Sequence, residues 1–581
     1  MSDKLVSLYR EKLAREKGTV QKDWGGRVSV ALVYPNHYHV AMSNLGFQVV
    51  YNLLNRKNEV VAERAFLPDK QELSLHLETG KGLLSLESQS MLCRFDIVAF
   101  SLSFENDYPN ILKILELARI PLLASDRDNS SPIVMAGGVA SFLNPEPLAD
   151  FFDLFLLGEA EATLDEFMDQ FAGVRSISIE RKEILRHLAR NINSVYIPSF
   201  YNIEYNNDGT ISSREPLYDF APEKVKAARL SIEDLPVNFS SILTPETEFA
   251  DRLLVELGRG CGRSCRFCAA GYVYRPPRQH EESDLLEFFS RKEVKSGSLG
   301  LLSASVLDTP GIENVFERIL ENRCSFSVSS LRADLLTPRI LDLLKKGSHK
   351  SLAIAPEAGS GRLRRMINKH LSLDQITDAA AMIAKSGSFG VRLYFMIGLP
   401  TETYADIDDI LNLIKKIRHS IIRESRTRGS IGHIRLSVNC FIPKPFTPFQ
   451  WFPMEEVSTL KDRQKRLKKG LAKEGGTSVS FDVPKWSYVQ TLFSTGDRRV
   501  GGILMRVHKS GGNWNLAFRH SDMNPEFFVY RAKGIDEILP WDFIDNGINK
   551  EFLKKEYELA LREKESSICK LGECKRCGVC E

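Results

Sequence analysis

Apolar runs alternate with amphipathic stretches along most of this 581-residue chain, and this alternation constrains its fold more than any other feature. In the first third, runs such as RVSVALVYP (27–35) and FDIVAFSLS (95–103) lead through polar or glycine-rich turns into helical patterns. Strands that alternate with helices form a parallel, doubly wound sheet, whose ligands lie at the carboxyl ends of its strands. We therefore predict a Rossmann-like α/β domain over residues 27–172.

The alternation resumes near residue 250 and continues through six strand-and-turn units, such as VRLYFMIGLPTET (391–403). Six units predict a partial (β/α)6 barrel of the TIM type, with functional groups at the strand ends. The division that we predict is a helical extension at 1–26, the Rossmann-like domain at 27–172, a connector with a hairpin at 173–245, the barrel at 246–455, a small α/β region at 456–560 and a tail at 561–581.

The composition is that of a globular protein, with 43% hydrophobic residues, 26% charged residues and a formal net charge of +3. This near-neutral charge does not favour nucleic acid as a partner, although the basic helical pattern at 455–473 leaves such contact open. No apolar run approaches the roughly 18–20 residues of a membrane helix, and the first residues lack the apolar core of a signal peptide. We therefore expect a cytoplasmic protein with no membrane partner.

Cys261, Cys265 and Cys268 follow the first predicted barrel strand in the spacing C-x3-C-x2-C, within GRGCGRSCRFC. Three thiolates can hold three irons of a [4Fe–4S] cluster and leave the fourth iron open to a small molecule. The glycines of this segment allow the backbone to wrap closely around such a cluster. A zinc site completed by His280 is the alternative.

This motif, with Phe267 directly before its last cysteine, resembles the hallmark of the radical S-adenosylmethionine (SAM) superfamily. The resemblance implies that Cys261, Cys265 and Cys268 hold a catalytic [4Fe–4S] cluster whose open iron binds SAM, with Phe267 shielding one face. It also implies reductive cleavage of SAM to a 5′-deoxyadenosyl radical. An electron donor such as flavodoxin or ferredoxin would be a partner.

Three later segments take cofactor-binding positions of that superfamily. APEAGSG resembles the segment after the fourth strand, and MIGLPTE resembles the fifth-strand turn that packs on the adenosine. The Gly-Gly-Glu turn that often holds the SAM amino group is replaced here by the serines of SASVLD. A carboxylate that only stabilises a helix N-terminus is the alternative for the glutamate of APEAGSG. The candidates are Ser303, Ser305, Glu357, Gly359, Gly398 and Pro400.

A doubly wound domain before such a barrel resembles the cobalamin (B12)-binding class of the superfamily, in an uncharacterised bacterial branch with a cysteine-rich tail. The resemblance implies cobalamin at the strand ends of the first domain. The axial-histidine motif D-x-H-x-x-G is absent, since neither His37 nor His39 has a glycine three residues on. We expect cobalamin without a protein axial ligand, and a vestigial domain is the alternative. The matching turns carry Gly46, Ser101, Gly137, Gly138 and Gly158.

Four more cysteines crowd the tail, in the spacing C-x4-C-x2-C-x2-C. Four thiolates close either a structural zinc site or a second [4Fe–4S] cluster, and the C-x2-C-x2-C run favours the cluster. Such clustering argues for metal ligation rather than disulfides in a reducing compartment. The predicted ligands are Cys569, Cys574, Cys577 and Cys580.

Three functions follow as hypotheses. The first is a radical SAM enzyme that functionalises an unactivated C–H bond, by methyl transfer if cobalamin is bound. The second is a methylthiotransferase-like enzyme that modifies tRNA. The tail would hold an auxiliary cluster that donates sulfur, and the basic helix at 455–473 would bind the phosphates of the tRNA. The third is a binding protein, not an enzyme, that responds to cobalamin or redox state. The sequence names no substrate.

Overall fold

The computed structural model of the protein describes residues 2–178, 180–291, 294, 297–426 and 432–580. Over these residues the chain forms a sheet of six strands, followed by a connector, a partial barrel and a helical C-terminal region. No helix among the described residues combines the length and the apolar composition that crossing a membrane requires.

The N-terminal sheet contains β1 (Val28–Tyr34), β2 (Val60–Phe66), β3 (Ile97–Ser101), β4 (Ile133–Gly137), β5 (Leu154–Leu156) and β6 (Val195–Tyr196). Their order is β2-β1-β3-β4-β5-β6; the first five are parallel and β6 is antiparallel to β5. All of β1 is buried, as expected of a central strand covered on both faces. The predicted Rossmann-like sheet is confirmed, and its last strand lies beyond residue 172.

Eight helices accompany this sheet: α1 (Ser2–Ala14), α2 (Tyr38–Ala41), α3 (Leu45–Arg56), α4 (Lys70–Thr79), α5 (Tyr108–Leu117), α6 (Val139–Leu143), α7 (Leu164–Ile177) and α8 (Arg181–Asn191). Asn44 fixes the start of α3, because its side chain accepts a hydrogen bond from the Phe47 N–H. That helix and α7 pack together on one side of the sheet.

The connector contains β7 (Tyr201–Tyr205), β8 (Ile211–Pro216) and β9 (Val225–Lys226). The first two form the predicted antiparallel hairpin, whose turn places Gly209 at φ +87°. In contrast, β9 pairs in parallel with β19 (Ile544–Asp545) near the end of the chain. The connector therefore ties the C-terminal region to the N-terminal half.

The barrel strands are β10 (Leu253–Glu256), β13 (Ser298–Leu302), β14 (Ser325–Val328), β15 (Ser351–Glu357), β16 (Gly390–Ile397), β17 (Ile434–Cys440) and β18 (Thr477–Phe481), while β11 (Gly258–Arg259) and β12 (Arg278–Gln279) form a small antiparallel pair. The seven barrel strands form two parallel sheets, one of three strands in the order β10-β13-β14 and one of four in the order β15-β16-β17-β18. An isolated parallel bridge between Leu331, which follows β14, and Ile354 of β15 connects the two sheets. The partial barrel is thus confirmed. The structure adds β18 as a seventh strand, beyond residue 455.

The barrel helices are α9 (Glu282–Phe289), α10 (Ile312–Glu321), α11 (Pro338–Lys346), α12 (Gly361–Met366), α13 (Leu373–Ser386), α14 (Tyr404–Ser425) and α15 (Val457–Leu471). The C-terminal region adds α16 (Pro484–Thr495), α17 (Val500–Lys509), α18 (Trp514–Arg519), α19 (Glu526–Val529) and α20 (Lys550–Leu561). These last helices contact both halves of the chain. On the N-terminal side, Asn144 Nδ2 donates to Gly496 O at 2.7 Å and α17 packs on α5. On the barrel side, α16 packs on α15 and α20 packs on α12.

Candidate functional site

A cavity of about 540 Å³ lies between the carboxyl edge of the N-terminal sheet and the start of the barrel. Its walls come from the turns after β1, β3, β4 and β5 on one side, and from β10, β11 and the turn after β13 on the other. The strand order of the sheet reverses between β1 and β3, and open parallel sheets bind ligands at such a reversal. A ligand in this cavity would touch both domains.

The cavity brings together residues that the sequence predicted from distant segments. Gly138 has φ +98°, and a Cβ there would come within 2.5 Å of Leu102 O, so this tight turn requires glycine. By contrast, Gly46 is exposed on the cavity wall and its Cβ would meet only the Asn44 side chain, at 3.3 Å. The predicted residues that line the cavity are Gly46, Ser101, Gly137, Gly138, Gly158 and Ser303.

An apolar arm extends the cavity beneath the sheet. Its walls are the side chains of β1 and β3 and those of helices α3 and α7, which leave a gap between helix and sheet. Apolar walls of this kind hold the body of an organic cofactor, while a few polar groups set its orientation. The lining includes Val30, Ile97, Val50, Leu54, Leu164 and Met168.

A network of ion pairs closes one end of the cavity at the junction of the domains. Arg259 on β11 donates to Glu161 of the turn after β5 at 2.7 Å and to Glu256 at the end of β10 at 2.8 Å. Burial alone would lower the pKa of Arg259, but these two carboxylates raise it above its usual value. Conversely, burial would raise the pKa of Glu161, and Arg259 holds it below its usual value. Both groups therefore remain charged at neutral pH.

The three-cysteine loop borders the same cavity, since Gly260, Ala270 and Tyr274 line it on either side of the cysteines. Cys261, Cys265 and Cys268 lie close together: burial raises the pKa of Cys268 to about 12, and the neighbouring charges of Cys265 and Cys261 add to the shift. Thiols held in this way need a cation to become thiolates. Iron supplies such a charge, so the residues fit an iron–sulfur cluster.

Buried arginine contacts hold the loop against the barrel and α20. Arg266, fully buried between the second and third cysteines, donates to Met366 O at 2.8 Å and pairs with Glu556 at 3.1 Å. Gly260 has φ +82°, and a Cβ there would approach Tyr274 O to 2.4 Å. These contacts hold the loop in place from the side of the barrel and of α20.

Phe267 is half-buried and packs against a small apolar cluster formed by the barrel and α20. This cluster contains Met366, Leu399 and Phe449 among its buried members. The predicted role of Phe267, shielding one face of a cluster, is compatible with this packing because the residue directly precedes Cys268. Ser305 is buried two residues after Ser303, and its N–H donates to Ser303 Oγ at 3.2 Å.

Glu357 has a left-handed backbone, with φ +67°, and pairs with Lys369 at 3.1 Å. Lys369 in turn lies close enough to Cys265 for that sulfur to act on its charge. Lys369 thus lies between Glu357 and the cysteine loop. The role of Glu357 in binding SAM stays a prediction.

The other predicted SAM-side residues lie outside the lining of the cavity described above. Gly359 is required by packing, because a Cβ there would come within 2.2 Å of Ile410 N on α14. Gly398 has φ +79° and its N–H donates to Glu402 Oε2 at 2.7 Å; Pro400 is buried in the same turn. Their role with the adenosine stays a prediction.

The three histidines singled out in the sequence, His37, His39 and His280, have other neighbours than the cysteines among the described residues. His280 is buried, which lowers its pKa, and the charges that face it belong to Glu256, Asp284 and Arg259. His37 hydrogen-bonds Leu67 O at 3.1 Å, and its ring lies 6.3 Å from that of His39. Over the described ranges, no three His, Cys, Asp or Glu side chains converge as the ligands of a single metal ion would. A [4Fe–4S] cluster places each thiolate on its own iron instead.

The tail folds back onto the three-cysteine loop. Cys569 N–H donates to Gly262 O at 2.8 Å, and Cys577 is buried, with 2% of its surface exposed. No pattern in the sequence predicts this juxtaposition, because about 300 residues separate the two segments.

Sequence reasoning missed the charged rim of the cavity. Arg259 and Glu256 lie in ELGRG, directly before the first cysteine, where the apolar pattern predicts only a strand and its turn. A pair of opposite charges at the end of a barrel strand is itself a signal of a functional position. Glu159 and Glu161 lie in the turn that carries Gly158, and their partners Arg278 and Arg259 in the barrel are about 100 residues or more away in sequence.

Two family models match the chain. The model described as "Radical SAM proteins, N-terminal" matches residues 46–198, and that of the "Radical SAM superfamily" matches residues 255–414. Among curated proteins, "Uncharacterized protein MJ0966" of Methanocaldococcus jannaschii is 30% identical over 479 residues, covering 82% of this chain and 90% of that protein. "Uncharacterized methyltransferase PH0819" of Pyrococcus horikoshii is 22% identical over 303 residues, covering 50% of this chain and 59% of its own length.

Among solved structures, the cobalamin-dependent SAM radical enzyme OxsB is similar in two forms. With aqua-cobalamin and SAM bound, it has a TM-score of 0.45 at 13% identity, with coverage of 92% of this chain and 80% of that one. With aqua-cobalamin alone, the TM-score is 0.41 at 14% identity, and the match spans 67% of this chain and about half (52%) of that one.

Proposed function

Because this chain belongs to the radical SAM superfamily, we propose that it is an enzyme that cleaves SAM reductively and functionalises an unactivated C–H bond, with cobalamin-dependent methyl transfer as the reaction. The family implies a [4Fe–4S] cluster and SAM. Cobalamin binding and methyl transfer go beyond what membership of the family implies. The single observation that supports them is the cavity between the two domains.

The cavity suits a large organic cofactor that two domains share. Gly46 and Gly137 add no side chain to the cavity wall at the carboxyl edge of the sheet. The apolar arm between β1, β3 and the helices α3 and α7 gives the cavity depth. The cysteine loop borders the same space through Gly260 and Tyr274. A cofactor seated on the sheet would therefore face the site where SAM is cleaved. The word methyltransferase in the name of the Pyrococcus relative agrees with this direction.

Each group of residues has a separate role in this proposal. Cys261, Cys265 and Cys268 would hold the cluster, which when bound supplies the electron for SAM cleavage. The glycine turns would seat cobalamin, which when bound carries the methyl group. The rim pair Arg259 and Glu161 stays charged and would orient polar groups at the cavity's end.

The test is cobalamin capture during anaerobic purification from cells supplied with the cofactor. Gly46→Leu places a side chain on the cavity wall, where its Cβ would meet Asn44 Oδ1 at 3.3 Å. We expect about one cobalt per wild-type chain, a corrin spectrum, and about a tenfold loss in this variant. The control is Gly173→Leu, at an exposed position of α7 with nothing within 4 Å.

Wild-type protein that carries no cobalt, or a Gly46→Leu variant that carries as much as the control, would remove cobalamin from the proposal. The reductive cleavage of SAM would then have to be tested without it.

A further inference from the structure

We propose that Cys569, Cys574, Cys577 and Cys580 bind a second [4Fe–4S] cluster, docked on the three-cysteine loop, through which the electron for SAM cleavage enters. The metal site stands on contacts of its own. The electron-entry role rests on the proposed function, because that function consumes the electron.

The first contact is between backbones. Cys569 N–H donates to the carbonyl of Gly262, the residue directly after Cys261, at 2.8 Å. A Cβ on Gly262 would lie 3.2 Å from Cys569 O, so glycine allows this close approach. One ligand of the tail site is therefore separated from one ligand of the first cluster by a single hydrogen bond and one residue.

The second contact is a buried cation. Arg275 is 3% exposed and donates through Nη2 to Ser264 Oγ at 2.6 Å and through Nε to Gly271 O at 2.7 Å, both within the loop. The same guanidinium lies close enough to Cys577 and Cys569 for both thiols to act on its charge. A buried guanidinium requires a negative partner, and no carboxylate accepts one of its hydrogen bonds among those described. Thiolates of a cluster would provide that charge.

The third observation is the arrangement of the four cysteines. Cys569 lies near enough to Cys574, Cys577 and Cys580 for each to act on its thiol. Gly572 at φ +76° and Gly578 at φ +83° allow tight turns in the tail, one before Cys574 and one between Cys577 and Cys580. Asn549 N–H donates to Cys577 O at 2.9 Å and anchors the buried end of the tail to α20's start. Four thiolates in a C-x2-C-x2-C run suit a [4Fe–4S] cluster.

The position of the site explains its use. Lys570 to Glu573 and Lys575 to Arg576 are exposed, whereas Cys577 is buried toward the loop. The site thus lies between solvent and the first cluster. A low-potential one-electron carrier, as a reduced flavodoxin or ferredoxin is, would lose one electron to the tail cluster, which passes it on and returns to its oxidised state. No atom is transferred.

The first experiment counts metals in the full chain after anaerobic reconstitution. We expect about eight irons in the wild type and about four in two variants, Cys574→Ser/Cys580→Ser and Cys261→Ala/Cys265→Ala/Cys268→Ala. The second variant leaves the tail intact and should keep the electron paramagnetic resonance signal of a reduced [4Fe–4S] cluster. Cys93→Ser, a half-buried cysteine outside both groups, is the control and should keep about eight.

A loop variant with no iron, or with about one zinc per chain and no cluster signal, overturns the proposal. This result holds even if the tail variant fails to fold. The proposed function fails separately: wild-type protein with only the tail cluster would contradict that function and leave this site standing.

The second experiment measures how fast the first cluster is reduced by a flavodoxin-type carrier in rapid mixing. Removal of the tail cluster should slow the reduction of the first cluster by the protein carrier at least about tenfold. The rate of its reduction by dithionite, which is a small molecule, should change by less than about twofold. An unchanged rate with the protein carrier overturns the electron-entry role.

Discussion

Arg278 donates to Glu159 at 2.8 Å and thereby joins the barrel to the turn after β5 in the N-terminal sheet. Arg278 is 1% exposed and Glu159 6%. Arg278 also donates to Leu230 O of the connector at 3.1 Å. Three segments that are far apart in sequence thus meet at one guanidinium, and this junction supports the wall of the proposed cofactor cavity.

Glu159→Gln should destabilise the protein because it leaves the buried Arg278 without its countercharge. We expect a loss of about 2–4 kcal/mol in the free energy of unfolding, measured by urea denaturation. Glu183→Gln removes an exposed ion pair with Arg186 and should cost less than about 0.5 kcal/mol. Equal stabilities of the two variants would contradict this role for the pair.

Arg498→Ala, in the segment GDRRVGG, should also destabilise the protein, because it breaks an ion pair with a buried carboxylate. Arg498 pairs at 3.0 Å with Glu146, whose side chain has no exposed surface. Its removal takes away the ion-pair partner of this buried carboxylate, which keeps the hydrogen bond from the Tyr196 hydroxyl, and we expect a loss of about 3 kcal/mol in the free energy of unfolding. Arg506→Ala breaks an exposed pair with Asp522 and serves as the control, with less than about 0.5 kcal/mol. Chemical denaturation that ranks the two variants the other way round would refute the assignment.

Asp107 should make the protein less stable as pH rises. Burial, with a smaller effect of Glu105, raises the pKa of Asp107 to about 7, although Asn36 hydrogen-bonds it. Because the folded state holds this proton more tightly than the unfolded chain, the group's contribution to stability falls between about pH 4 and pH 7. Asp107→Asn should therefore gain about 1–3 kcal/mol over the wild type at pH 8 and nothing measurable at pH 4.

Unfolding curves at both pH values check this expectation, with the exposed Asp126→Asn as control. A difference between Asp107→Asn and the wild type that does not change with pH would contradict it.

Helix α15 should not bind tRNA. Its arginines are committed within the protein: Arg463 is buried against Glu402 at 2.8 Å, and Arg466 pairs with Asp408 at 2.5 Å. We expect no salt-dependent binding in a filter assay at low salt, and no change on replacing Lys465, Arg466, Lys468 and Lys469 with Glu. Tight binding that this replacement abolishes would revive the tRNA-modifying hypothesis.

Local patterns were enough to predict the sheets and the turns of this fold. The alternation of apolar runs and helices predicted parallel strands in the N-terminal sheet and in the barrel. This was possible because strands that follow one another in sequence usually lie close together in a sheet. It did not anticipate β18, since TSVSF is polar on alternate positions and follows a strongly basic helix. It also could not place β6, a two-residue strand at the edge.

The candidate site also has features that local patterns predict and contacts that they do not. Glycine turns at strand ends, such as Gly137 and Gly138, were predictable because parallel strands bring their ends to one edge. The pairing of Arg259 with Glu161, and the docking of Cys569 on Gly262, depend on side chains and backbones that meet only after both halves have folded. Contacts of that range leave no periodic signal in the sequence.

The measurement that tests this account most directly is the formation of 5′-deoxyadenosine from SAM by the reconstituted protein under a strong reductant, without oxygen. We expect the product to accumulate with time in the wild type and to stay at background in Cys261→Ala/Cys265→Ala/Cys268→Ala. Wild-type protein with a full cluster that makes no 5′-deoxyadenosine, or equal product from the triple variant, would contradict reductive SAM cleavage at this loop.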